Sequence, residues 1–262
     1  MVLHFERLGA GRPLLMVHGL GANLRTWDPL LTALRGPREL ILVDLPGHGR
    51  SAPLAGRQTV EAHADALAGF VQSQGLTTAD LVGSSVGGRL VLELSRRGIG
   101  RHCVALDPGG FWHGWETRWF HWTLAASIRL VRLLRPFHPG LSRYAVTRTL
   151  LLTQLSARPS VLPPQLVVEE LQSLAATPVF DAMLRELAHG PLQQGSAKPP
   201  GLVTIGWGRQ DRLLLPGQAA RARVAFPSAQ LHWFERCGHF PHWDQPAETA
   251  RVILETVGTD AP

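Results

Sequence analysis

The sequence predicts an α/β protein built on a mostly parallel sheet, and three observations carry that reading. Short apolar runs alternate with longer segments of helical periodicity. Several of the runs (LLMV, LILV, CVAL) are apolar throughout, as strands covered on both faces must be. The chain, 262 residues at 45% hydrophobic and 18% charged, suffices for one large domain or a core with one insertion. The same balance excludes a wholly disordered chain.

Taken in order, residues 2–8 read as a leading antiparallel strand. Strands follow at 13–17, 39–43, 80–82, 102–106, 201–205 and 231–234. Helical patterns fill 27–34, 60–74, 86–97, 219–225 and 246–257, with Thr59 as an N-cap before Val60. From Phe111 to Pro200 the alternation stops. The pattern there is helical, broken by Pro136, Pro139, Pro159, Pro163, Pro164 and Pro178, and ends in the linker-like string GPLQQGSAKPP. This divides the chain into a core at 1–110, a helical lid insertion at 111–200 and a second part of the core at 201–262.

Charge and cysteine usage narrow the class. The net charge is +6, carried by 25 Arg and the single Lys198; nucleic-acid binding needs such cations on one face, the only candidate stretch runs from Arg118 to Arg158 without an acidic residue, and no nucleic-acid partner is expected. Cys103 and Cys237 are too few for a disulfide framework, and both sit in apolar contexts that suit buried thiols. No apolar run approaches the ~18 residues of a membrane span. The N-terminus lacks a basic-then-apolar signal, which predicts a cytoplasmic protein.

The string LVGSSVGG places Ser85 at the centre of a G-x-S-x-G pattern, between an apolar strand and a helical segment. Strand, sharp turn and helix are what this chemistry requires. Gly83 and Gly87 relieve crowding at the turn, and Ser85 is lifted clear of the sheet at a helix N-terminus. A serine hydroxyl is a weak nucleophile and needs a base held by a third group. Asp211 in WGRQDRLLLP and His239 in CGHFPHWDQP follow later strands in the required order of acid, then histidine. Both fall at the carboxyl edge of the sheet, where sites in such folds gather. Asp107, ending the run VALD, is the rival acid. The N–H groups of Val86 and of Leu20, in the loop HGLG, are the candidate oxyanion donors. His18 and His48 read as structural histidines of their turns. His239 and His242 lie three apart, but no further ligands assemble with them into a zinc site, and neither metal nor cofactor is expected.

Together HGLG at 18–21, DLPGHGRS at 44–51, GSSVGG at 83–88, WGRQD at 207–211 and GHFPHWDQP at 238–246 resemble an α/β-hydrolase-fold serine hydrolase of the esterase type. The resemblance runs from about Leu14 to Pro246, the insertion excepted. It implies a mainly parallel eight-stranded sheet with a helical lid. It also implies Ser85 as nucleophile, His239 as base, Asp211 as acid, and Leu20 and Val86 at the oxyanion. Ser85 disfavours the dehalogenase and epoxide hydrolase relatives, which carry Asp there. Hydrolases that cleave carbon–carbon bonds of aromatic ring-fission products usually carry Asn and Trp where this chain has Ser84 and Phe240. That reading therefore ranks second, ahead of a non-catalytic binding protein on the same fold.

In the insertion, Trp112, Trp115, Trp119 and Trp122 share one helix face by their spacing. They read first as a stripe packing the lid on the core. The second reading makes Trp112, Trp115 and Trp119, with Phe240, walls of an acyl pocket for apolar or aromatic esters. Arg129, Arg132 and Arg135 read first as a solvated face opposite Leu130, Val131, Leu133 and Leu134. Contact with a membrane is the second reading.

Overall fold

The computed structural model describes residues 2–36 and 38–258. Its centre is a sheet of seven strands, β1 (Phe5–Leu8), β2 (Pro13–Val17), β3 (Glu39–Val43), β4 (Asp80–Ser84), β5 (Cys103–Leu106), β6 (Val203–Gly208) and β7 (Gln230–Phe234). The spatial order is β1-β3-β2-β4-β5-β6-β7. Only β1 pairs antiparallel, with Phe5 opposite Val43, and every other pair is parallel. The expected eighth strand is not among the described residues, because β1 already forms the edge of the sheet beyond β3.

The continuous apolar runs are explained by cover on both faces. In β2, Leu15 and Val17 join the core with α2 (Val60–Ser73) and α3 (Val86–Arg96). Leu14 and Met16 point the other way, into a core closed by α1 (Asp28–Leu34) and α11 (Pro246–Val257). All four side chains are fully buried, each stabilising the fold by about 1.5–3 kcal/mol. Thr59 caps α2 as expected, its hydroxyl accepting from Ala62 N at 3.1 Å. The first helical segment starts later than its pattern suggested. Residues Leu24–Trp27 form a 3₁₀ turn, and Pro29 sits in the first turn of α1.

Helices α4 (Trp115–Leu133), α5 (His138–Leu141), α6 (Ala145–Leu152), α7 (Pro164–Ala176) and α8 (Phe180–His189) all fall between β5 and β6. The chain returns through residues 190–202, which form neither helix nor strand. The short α9 (Gln218–Ala225) and α10 (Pro241–Asp244) follow β6 and β7. No helix among the described residues is long and apolar enough to cross a membrane. Cys103 and Cys237 are free and buried, and burial pushes both thiols up.

Candidate active site

The turn between β4 and α3 holds Ser85 at φ 57°, ψ −115°, a conformation that strains any residue with a Cβ. The surroundings over-determine it. Ser85 N donates to Leu106 O at 2.8 Å, and Arg89 N and Gly109 N donate to Ser85 O. The flanking glycines are sterically required: a Cβ on Gly83 would meet the Gly87 carbonyl, and a Cβ on Gly87 would meet the Val17 carbonyl. A parallel strand therefore passes so close to α3 that only glycine fits.

His239 and Asp211 reach the same edge from the loops after β7 and β6. His239 Nδ1 lies 2.8 Å from Asp211 Oδ2, and both side chains are buried. The other carboxylate oxygen of Asp211 accepts from Leu213 N at 2.8 Å and Leu214 N at 2.9 Å, so the loop orients the acid that faces the ring. His239 Nε2 is buried and has no partner among the described residues. Ser85 and His239 line one cavity, together with Leu20 and Val86. Among the described residues, neither Leu20 N nor Val86 N donates to an acceptor within the chain. Val86 N–H belongs to the first turn of α3, whose amides have no partner inside the helix.

Asp107 is the unexpected member of this cluster. Its carboxyl, with Asp211 and His239, places ligand-type atoms within 4.8 Å of one another. The imidazole takes Asp211 as its carboxylate partner, while Asp107 Oδ1 accepts from Gly208 N at 2.8 Å and Asp107 Oδ2 is buried with no partner among the described residues. Burial, and next the Asp211 charge, push Asp107 well above the usual carboxylate range. Its buried site disfavours the charged form. Sequence spacing offered the two aspartates as rivals; the fold brings them together.

The remaining histidines are engaged structurally. Leu45 N donates to His18 Nε2 at 3.0 Å, and His48 Nδ1 lies 3.0 Å from Pro46 O. His242 Nε2 contacts Thr26 Oγ1 at 3.2 Å, and burial lowers its pKa to about 3.

The cavity walls correct the expectation for the lid. Phe240 lines the cavity, but Trp112, Trp115 and Trp119 do not. Trp112 is buried in a stack on Phe120, with ring centroids 4.9 Å apart, whereas Trp115, Trp119 and Trp122 face outward. The walls are instead built by Phe120, Leu124, Ile128 and Val131 of α4, with Leu171 and Leu174 of α7. The spacing 120, 124, 128, 131 is a helical stripe as regular as that of the tryptophans. Periodicity reveals both stripes but does not say which one turns inward. The arginine row is also split. Arg132 pairs with Asp181 at 2.6 Å, and of its four expected apolar neighbours only Val131 is buried.

The Alpha/beta hydrolase family model matches residues 14–252, the span that carries the sheet and all these loops. The chain belongs to the alpha/beta hydrolase family. Among relatives of this alpha/beta hydrolase, a 2-hydroxy-6-oxo-6-phenylhexa-2,4-dienoate hydrolase from Burkholderia cepacia is 27% identical, covering 97% of this chain and 90% of its own. A thermophilic esterase structure from Thermogutta terrifontis superposes with a TM-score of 0.74 at 24% identity, over 97% of this chain and 92% of that one. A meta-cleavage product hydrolase from Pseudomonas fluorescens also gives 0.74, at 20% identity, over 97% and 93%.

Proposed function

We propose that this alpha/beta hydrolase cleaves carboxylic esters with an apolar or aromatic acyl group, through an acyl-enzyme on Ser85. One observation carries the reading: His239, tied at Nδ1 to Asp211, shares with Ser85 a cavity whose walls are almost wholly apolar. His239 Nε2 takes the Ser85 proton as Oγ attacks the ester carbonyl. The tetrahedral oxyanion is held by Leu20 N–H and Val86 N–H, donors of a kind whose loss costs about 10²–10³ in rate. His239 then returns the proton to the departing alkoxide. In the second half it takes a proton from water, which attacks the acyl carbonyl and releases the carboxylic acid and free Ser85. Asp211 holds the imidazole tautomer throughout. The α4–α8 insertion acts as the lid, supplying the acyl walls.

The relatives favour a second reading, hydrolysis of a carbon–carbon bond in a ring-fission product. A dienoate of the kind named for the Burkholderia cepacia relative carries a carboxylate. Among the described residues no arginine or lysine lines the cavity, and its polar groups are Ser85, Ser127, Gln154 and His239. An anion buried without a cation is costly, so the ester is the better fit.

A panel of p-nitrophenyl esters of increasing acyl length, run beside a ring-fission dienoate, tests the choice. Turnover of the esters, lost in Ser85→Ala, and labelling of Ser85 by a fluorophosphonate are expected. Faster turnover of the dienoate reverses the ranking, and absence of the covalent adduct removes the nucleophile.

A further inference from the structure

We propose that the outer face of α4 is a docking surface for an anionic lipid bilayer. Helix α4 carries two apolar stripes where a surface helix normally has one. The inner stripe, Phe120, Leu124, Ile128 and Val131, is buried against the cavity. The outer stripe is Trp115, Trp119, Trp122, Leu130 and Leu133, whose residues are 57%, 42%, 63%, 47% and 73% exposed. At about 100° per residue these five fall within an arc of roughly 80° on the side opposite the inner stripe. The inner stripe has its partners within the chain. The outer one faces solvent, with the Trp119 indole N–H donating to Arg212 O at 2.9 Å.

Beyond α4, Phe137, Tyr144, Val146, Leu150 and Val161 are also exposed. Of the fourteen exposed large hydrophobic residues among those described, ten lie between Trp115 and Val161. Scattered apolar residues on a surface need no explanation, but five large ones on one face of a single helix mark an interaction face.

Charge identifies the occupant. Residues 117–168 contain no Asp or Glu, while Arg118, Arg129, Arg135, Arg143 and Arg158 are exposed. On the helical wheel Arg118 and Arg129 border the outer stripe. Tryptophan with arginine beside an apolar stripe is the chemistry of a helix lying in a headgroup layer, its rings at the acyl boundary and its cations on lipid phosphates. A second copy of this chain fits less well, since a two-fold contact would set like arginines against each other. A docked α4 places the cavity wall about one helix diameter, ~10 Å, from the lipid.

Vesicle flotation with the full chain tests this, using phosphatidylglycerol–phosphatidylcholine vesicles against pure phosphatidylcholine at low and high salt. Binding to the anionic vesicles, weakened by salt, is expected. The double variant Trp122→Ser/Leu133→Ser lowers it at least ten-fold. Arg118→Gln/Arg129→Gln lowers it roughly thirty-fold, at about five-fold per arginine. Hydrolysis of a soluble short-chain p-nitrophenyl ester stays within about two-fold in both, because neither pair lines the cavity. No binding to anionic vesicles at low salt overturns the proposal, as does binding that survives the Trp122/Leu133 change. A wild-type dimer in gel filtration that the Trp122/Leu133 variant converts to monomer assigns the face to a second copy and also overturns it. Vesicle binding by a chain inactive on every ester leaves this inference standing while the ester reading falls.

Discussion

Replacing Asp107 by Asn removes a titration without removing a shape. Asp107 is fully buried, its Oδ1 held by Gly208 N and its Oδ2 without a partner among the described residues, close to Asp211. The charged and titratable groups around it are Asp211, His239, Asp244 and Cys237. The amide keeps an acceptor for Gly208 N and puts a neutral group of the same shape beside Asp211. The native carboxyl ionises near pH 3.9 in the unfolded chain and far higher in the fold, where burial and Asp211 oppose its charge. Folded protein therefore retains a proton that unfolded protein loses. The stability from this group is complete below about pH 3.9 and declines as pH rises toward the folded pKa, by about 1.4 kcal/mol per unit. The amide of the variant has no such dependence. The stability of Asp107→Asn relative to wild type should therefore rise between pH 5 and pH 6, by at most about 1.4 kcal/mol. Urea unfolding of both proteins at those two pH values measures it. Parallel pH curves would mean that Asp107 is ionised in the fold, and the neutral-acid assignment would be refuted.

Other consequences are as direct. Asp211→Asn turns an acceptor into a donor toward His239 Nδ1 and favours the wrong tautomer. Ester kcat should fall about 10⁴-fold, whereas Asp107→Asn stays within ten-fold, and steady-state rates on a p-nitrophenyl ester separate the two. Ser85→Gly relieves a strain of roughly 1–3 kcal/mol against a chain-entropy cost of about 0.5–1 kcal/mol. It should raise the melting temperature while abolishing turnover, as calorimetry beside the rate assay reads out. Arg38 and Asp80 form a buried ion pair, with Arg38 also donating to Val257 O at 3.2 Å. Arg38→Met leaves the Asp80 carboxylate with Arg12 at 3.5 Å and His102 N at 3.0 Å, and should cost about 1–3 kcal/mol by denaturant titration.

Much of this molecule was legible as a string. Apolar runs located the parallel strands because a strand covered on both faces has no polar face to show. Gly83 and Gly87 marked the sharp turn because no other residue fits where β2 and α3 approach. The order of Ser85, Asp211 and His239 was visible because each follows a strand that ends at one edge of the sheet. The eighth strand was legible only by resemblance, and here β1 alone forms that end of the sheet.

Tertiary structure decided what periodicity leaves open. Two stripes on α4 are equivalent in sequence, and only packing against α7 and the core turned Phe120 and Leu124 inward and left Trp115 and Trp122 outside. Nor does spacing say that two aspartates, one before the insertion and one after it, follow adjacent strands with carboxyl oxygens within 4.8 Å of each other. Residue pattern sets which faces are apolar and which turns are tight, because those are local properties of a chain. Which face meets which, and which buried acid keeps its proton, depend on neighbours brought in from a hundred residues away.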